Sequence, residues 1–223
     1  MNASPFEWTT ALIRRRKTTK ILADVGAPVS IPDDIARNCD ALVREAVVSA
    51  GWAPFHFARQ ANGLAEPWRA TILWQATCRQ LAAAFPQLFT DVKPGNKLPG
   101  MLSACGALVL ITEVPNTGAE IPDPQKLQQV NFEHTLAVGA MIQSLLLALE
   151  AAELPTYWSS GGQLGSITSF ELLGIPLQER LAGAVFVGYP VERYAECEQI
   201  PGGNREKRSL PTQWIREFAA IPE

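Results

Sequence analysis

The 223-residue chain has only two histidines and four cysteines, and no two cysteines form a CxxC pair. Zinc is therefore disfavoured: His56 and His134 lack the neighbouring ligands that a closed tetrahedral site needs. Cys39, Cys78, Cys105 and Cys197 are widely spaced and read as reduced thiols of a cytoplasmic protein, not as a disulfide frame. An apolar leader is also missing, since the N-terminus is short and polar and then turns basic. Charge of one sign does not dominate. A net charge of -3 and a pI near 5.5 give no global positive field for nucleic acid or anionic lipid. Long hydrophobic runs are few. The one at 136–149 is broken by Gln143 and Ser144 and flanked by Glu133 and Glu150. It is shorter than the roughly 20 residues of a membrane span, and it reads as a buried central helix. No glycine-rich turn follows the first strand. Residues 161–165 give GGxxG after a helix, which disfavours a Rossmann dinucleotide site.

What is present fits one globular domain over residues 1–223, with 47% hydrophobic residues and a sizeable core. Helices are expected at 6–17, from 31 to about 49, at 76–85, at 125–153 and at 168–173. Pro32 suits a first helical turn, and Asp33 and Asp34 suit its dipole. Strands are expected at 69–74, at 106–114 and at 181–189, the last two buried on both faces. Residues 92–100 and 115–124 read as surface loops, and the tail after 202 turns amphipathic, with Trp214 and Phe218 four apart on one helical face. The irregular alternation of strands and helices predicts an α+β fold, a sheet packed between helices.

Cations gather at 14–20 and at 205–208, which argues for a small anionic ligand, not a polymer. Arg15, Arg16, Lys17 and Lys20, with the hydroxyls of Thr18 and Thr19, fit a phosphate clamp. Composition alone favours the plainer reading, a solvated helix terminus whose cations offset the dipole. Ala53-Pro54-Phe55-His56 ends a helix and could lay carbonyls and an aromatic edge along a flat heterocycle, or form an ordinary loop. Glu66 or Arg69 could meet polar ring edges. In Tyr157-Trp158-Ser159-Ser160-Gly161-Gly162, small residues beside large aromatics permit close backbone approach to a planar ligand, or simply a tight turn.

Together these stretches resemble the FMN-dependent nitroreductase family along nearly the whole chain. Residues 15–20 are similar to the family's Arg-Arg-Ser-x-x-Arg motif, with Lys17 in the serine place and Lys20 in the last basic place. Ala53-Pro54 and Glu66-Pro67-Trp68 are similar to its Ala-Pro loop and its Gln-Pro-Trp entry to a strand. LLLALEAAELPTYW, then LLGIPLQERLAGAVFVGYP, look like its leucine-rich helix and C-terminal strand, and Arg208 matches its final basic residue.

The resemblance implies a nitroreductase-like fold, a central and mostly antiparallel sheet flanked by helices. It implies a homodimer with FMN at the interface, touched by both chains. Arg15, Arg16 and Arg208 would hold the phosphate, and Lys20 would serve there or at the ribityl chain. Pro54, Phe55 and His56 would line one side of the flavin, with Glu66 at its pyrimidine edge, and Trp158, Ser159, Ser160 and Gly161 would line the other. Lys17, Lys20 and Arg59 are candidates for a cation near flavin N1. The implied activity is transfer of hydride from NAD(P)H through flavin N5 to a small oxidised acceptor such as a nitroaromatic, quinone or enone. Phe55 and Glu66 stand where the family carries Ser or Asp and Gln. With Lys17 they leave open an alternative, a flavin carrier or sensor of the same fold with little turnover.

Overall fold

A computed structural model describes residues 4–90 and 92–218. Helix α1 (Pro5–Arg15) opens on a capping box in which Ser4 and Glu7 satisfy each other's backbone N–H groups. It is followed by strand β1 (Thr19–Leu22), helix α2 (Asp33–Ala50), strand β2 (Trp68–Trp74) and helices α3 (Gln75–Leu88) and α4 (Leu98–Ala104). Strand β3 (Ala107–Glu113), helix α5 (Pro124–Ala151), strand β4 (Thr156–Ser159), helix α6 (Ile167–Leu173), strand β5 (Arg180–Val187) and strand β6 (Glu198–Pro201) complete the order. Asp123 caps α5 through Gln125 and Lys126, and Ser166 caps α6 through Ser169.

Strands β2, β3, β5 and β4 form one sheet in that order, every neighbouring pair antiparallel. Alternation along β3 sends Val109 and Ile111 to one face and Leu108 and Leu110 to the other, all fully buried. On the first face α5 supplies Val138, Met141, Ile142, Leu145 and Leu149, and α2 adds Val43, Ala46 and Ala50. On the second, Leu73, Ala184 and Phe186 meet Leu81 and Phe85 of α3, Leu102 of α4 and Phe170 of α6. Each of the Val, Leu, Ile, Met and Phe side chains among these contributes roughly 1.5–3 kcal/mol on burial. Thus α5, the one described helix long and apolar enough to cross a membrane, spends its apolar face on the sheet. The two chain ends make a second, two-stranded sheet, β1 with β6, tied to β4 by the parallel bridge Thr18–Thr156.

The α+β expectation and the strands at β2, β3 and β5 hold. Strands β1, β4 and β6 are additions to the sequence reading. Each is four residues long, too short for period-two alternation to show. Helix α4 begins inside the expected loop at 92–100. Pro99 falls in its first turn, where proline is tolerated, and Gly100 lets the helix approach β1: a Cβ there would lie 3.3 Å from the Ala23 carbonyl. In the tail, a short 3-10 turn at Pro211–Gln213 replaces the expected helix, and Trp214 and Phe218 are exposed. Residues 219–223 of that expectation lie outside the described residues.

Tyr194 belongs to the cluster on the first face, with Tyr189 and Ala104. Its fully buried hydroxyl donates to the Ala104 carbonyl (2.8 Å) and accepts from the Tyr189 N–H (2.9 Å), and burial pushes its pKa well up. Tyr194→Phe leaves both backbone groups without that partner and should lower unfolding free energy by about 1–3 kcal/mol in a denaturant titration. An unchanged midpoint would show that the pin is dispensable.

Candidate functional site

Helix α1 ends in the basic run and leaves its last carbonyls without helical partners, at the negative end of its dipole. The tail reaches them from the far end of the chain. Strand β6 lies antiparallel to β1, with Thr19 opposite Pro201 and Leu22 opposite Glu198. The Gly202 N–H donates to the Thr18 carbonyl at 3.0 Å. A side chain at Gly202 would collide with Thr18, its Cβ 2.9 Å from the Thr18 Cβ. Next, Arg205 donates from Nη1 to the Arg16 carbonyl (2.7 Å) and from Nη2 to the Arg14 carbonyl (2.6 Å), a contact across 189 and 191 residues. The segment carrying Arg208 is thereby held beside the segment carrying Arg15, Arg16, Lys17 and Lys20.

Within that cluster the cations differ. Arg15 is committed to Glu150, through Nε to the carboxylate (3.0 Å) and Nη2 to the carbonyl (2.8 Å). Arg15, Lys17 and Thr19 line a cleft of about 750 Å³ against Glu150, Glu153 and Glu192. Lys20 instead lies with its ammonium 4.5 Å from the centre of the Tyr157 ring, a cation–π contact. Among the described residues, Arg14, Arg16, Lys17, Lys20, Arg205, Lys207 and Arg208 form no ion pair with a carboxylate. The glutamates of that cleft offset part of this positive charge; the remaining like charges repel, and a bound anion lowers that cost.

Strand β4 stands next to the basic cluster as the edge of the main sheet. Trp158 is 43% exposed, and its indole lies over Gly183, where a Cβ would fall 2.3 Å from Nε1. Beyond it the backbone turns. Gly161 has φ +94°, its N–H donates to Ser159 Oγ (3.1 Å), and a Cβ there would meet Leu181 at 2.3 Å. Ser160 is exposed and Ser159 half-buried. A sheet edge beside small residues lets a flat ring approach the backbone.

The 53–66 loop is placed elsewhere. Pro54 is exposed, and Phe55 packs edge-on against the buried Trp68, with centroids 5.6 Å apart. His56 is exposed and its Nδ1 meets Glu133 at 2.7 Å, in the N-terminal half of α5. Glu66 is half-buried, its carbonyl taken by Arg69. Buried His134 ties this loop to α5 through the Phe57 carbonyl (3.0 Å), and burial pushes its pKa down. Glu133 and Glu150 are seventeen residues apart, about 26 Å of helix at 1.5 Å per residue. One chain therefore brings the basic run and the tail together, but not the 53–66 loop with them.

Arg59 is removed from the candidates for a free cation. It is buried, bidentate to Glu120, and donates to the Val114 and Pro115 carbonyls. Arg205 was missed in the sequence as more than one of several tail cations, because the carbonyls it binds are distant in the chain. No group of three or more His, Cys, Asp or Glu side chains among the described residues is placed to hold a metal.

No family model matches the sequence, and no curated protein matches it. Solved structures do. A nitroreductase-like family protein from Bacillus cereus superposes with a TM-score of 0.66 at 21% identity, covering 99% of this chain and 98% of that one. An FMN-dependent nitroreductase, NfnB, from Mycobacterium smegmatis in complex with NADPH gives 0.59 at 13% identity, covering 96% and 99%. A nitroreductase with bound FMN from Desulfitobacterium hafniense gives 0.58 at 13%, covering 94% and 97%. At such identities the likeness is one of architecture, and the chain has the α+β nitroreductase-like fold.

Proposed function

We propose that the protein is an FMN-dependent oxidoreductase, active as a homodimer, that takes electrons from NAD(P)H. The observation that carries this reading is the cluster of cations without carboxylate partners, assembled from both chain ends beside the exposed edge at Trp158. That donor set fits a phosphate monoester joined to a planar ring. Arg16 and Arg208 would hold the phosphate, with Arg15 and Lys17 adding charge from the neighbouring cleft. Lys20, kept at the Tyr157 ring, would face the ribityl chain or the N1 edge of the flavin. Trp158, Ser159, Ser160 and Gly161 would offer backbone to one side of the ring. Bound FMN would supply the redox chemistry, receiving hydride from the nicotinamide and passing it to a small oxidised acceptor such as a nitroaromatic, quinone or enone.

The second wall would come from a second copy, through Pro54, Phe55, His56 and Glu66. Exposed apolar side chains on that side of the molecule support the pairing. Val48 lies in the last turn of α2 and Trp52 just beyond it, and Phe132 and Leu136 flank Glu133 on α5, all at least 57% exposed. Large exposed apolar patches mark protein interfaces. The four free cysteines suit a reducing, cytoplasmic setting.

Arg16→Ala combined with Arg208→Ala should weaken FMN binding by about 2–5 kcal/mol, the scale of truncated charge-assisted contacts. Arg15→Ala should cost less, because that charge is shared with Glu150. Equal affinity in the folded double variant and the wild type, measured by flavin fluorescence titration, would contradict the phosphate assignment. Anaerobic NADH or NADPH should bleach the flavin absorbance, and an added acceptor should restore it. A yellow dimer that stays oxidised with both nicotinamides would favour a flavin carrier or sensor over an enzyme.

A further inference from the structure

Nothing in the proposed reaction requires Arg205, yet it makes the last hydrogen bonds between the tail and the body among the described residues. Every described residue after Gly202 is exposed, and the remaining tail hydrogen bonds are local. The tail is therefore held by β6, by Gly202 on Thr18, and by one guanidinium fork on two carbonyls. That fork enters a hostile field. Arg14 and Arg15 fill the last turn of α1, and Arg16 and Lys17 follow. Attraction to the helix-end carbonyls opposes repulsion from these neighbouring cations. The planar guanidinium spans two carbonyls at once, whereas an ammonium is a single point of charge.

We propose that Arg205 is a positioning residue: it latches the C-terminal tail onto the end of α1, so that the two halves of the basic cradle exist as one anion site only while the latch is closed. The inference rests on the FMN reading above for the identity of the anion. An anion between Arg16 and Arg208 neutralises the charge that pushes the latch open, so anion binding and latch closure strengthen each other. By linkage the coupling is equal in both directions. Salt should weaken the repulsion and the anion contacts together, since these groups are solvent-exposed.

The test is amide hydrogen exchange over residues 16–22 and 198–208 in the full chain, with and without added FMN, for wild type and Arg205→Lys. Without FMN, Arg205→Lys should exchange about tenfold faster over 198–208, with unchanged exchange in α5, and its FMN Kd should rise about tenfold or more. FMN should slow tail exchange in the wild type. Arg205→Lys with wild-type exchange in the absence of FMN would overturn the latch. In that case a raised Kd alone would mark Arg205 as a direct phosphate ligand. If the wild type takes up no FMN, the cofactor reading and the coupling fall, while the exchange comparison without ligand still decides the latch.

Discussion

The pairing of β1 with β6 is the constraint on which the proposed site depends. It joins residues 19–22 to residues 198–201, and through Gly202 and Arg205 it fixes a tail of otherwise exposed residues against the end of α1. Without it, the cations at 14–20 are a helix terminus and those at 205–208 a solvated tail. With it, they are neighbours on one ribbon, and the bridge from Thr18 to Thr156 sets that ribbon at the edge of the main sheet.

The main sheet supplies the rigidity that the ribbon lacks. Strand β3 is buried on both faces, as is β5 from Gly183 to Val187, and β4 hangs from β5 with Trp158 laid across Gly183. A flat ligand at that edge would meet backbone that cannot easily shift, because Gly161 and Gly183 leave no room for other side chains. The same geometry explains why one chain is insufficient in this account. The 53–66 loop is anchored at Glu133 and His134, and the basic run at Glu150, so α5 holds the two walls apart. A two-fold partner that covers Trp52 and Phe132 would close the site from the other side.

Much of the frame was legible in the sequence. Strands β3 and β5 and helix α5 announce themselves through long apolar segments, and helix α2 through Pro32 and two acids. The short strands did not, because four residues carry no readable period and their partners lie far away in the chain. Trp214 and Phe218 have helical spacing, but the segment from Pro211 makes only a 3-10 turn and leaves both side chains exposed. The basic run was visible as composition. The division of the cations was not: that Arg15 is spent on Glu150, Arg59 on Glu120, and Arg205 on two carbonyls depends on contacts between distant segments.

The central claim is that the two ends of the chain grip a phosphate. The most direct measurement compares FMN with riboflavin, which has the same ring and no phosphate, by equilibrium titration at low and high salt. The account predicts that FMN binds far more tightly, that the advantage shrinks as salt rises, and that riboflavin is nearly indifferent to salt. Equal affinities for the two flavins at low salt would contradict it.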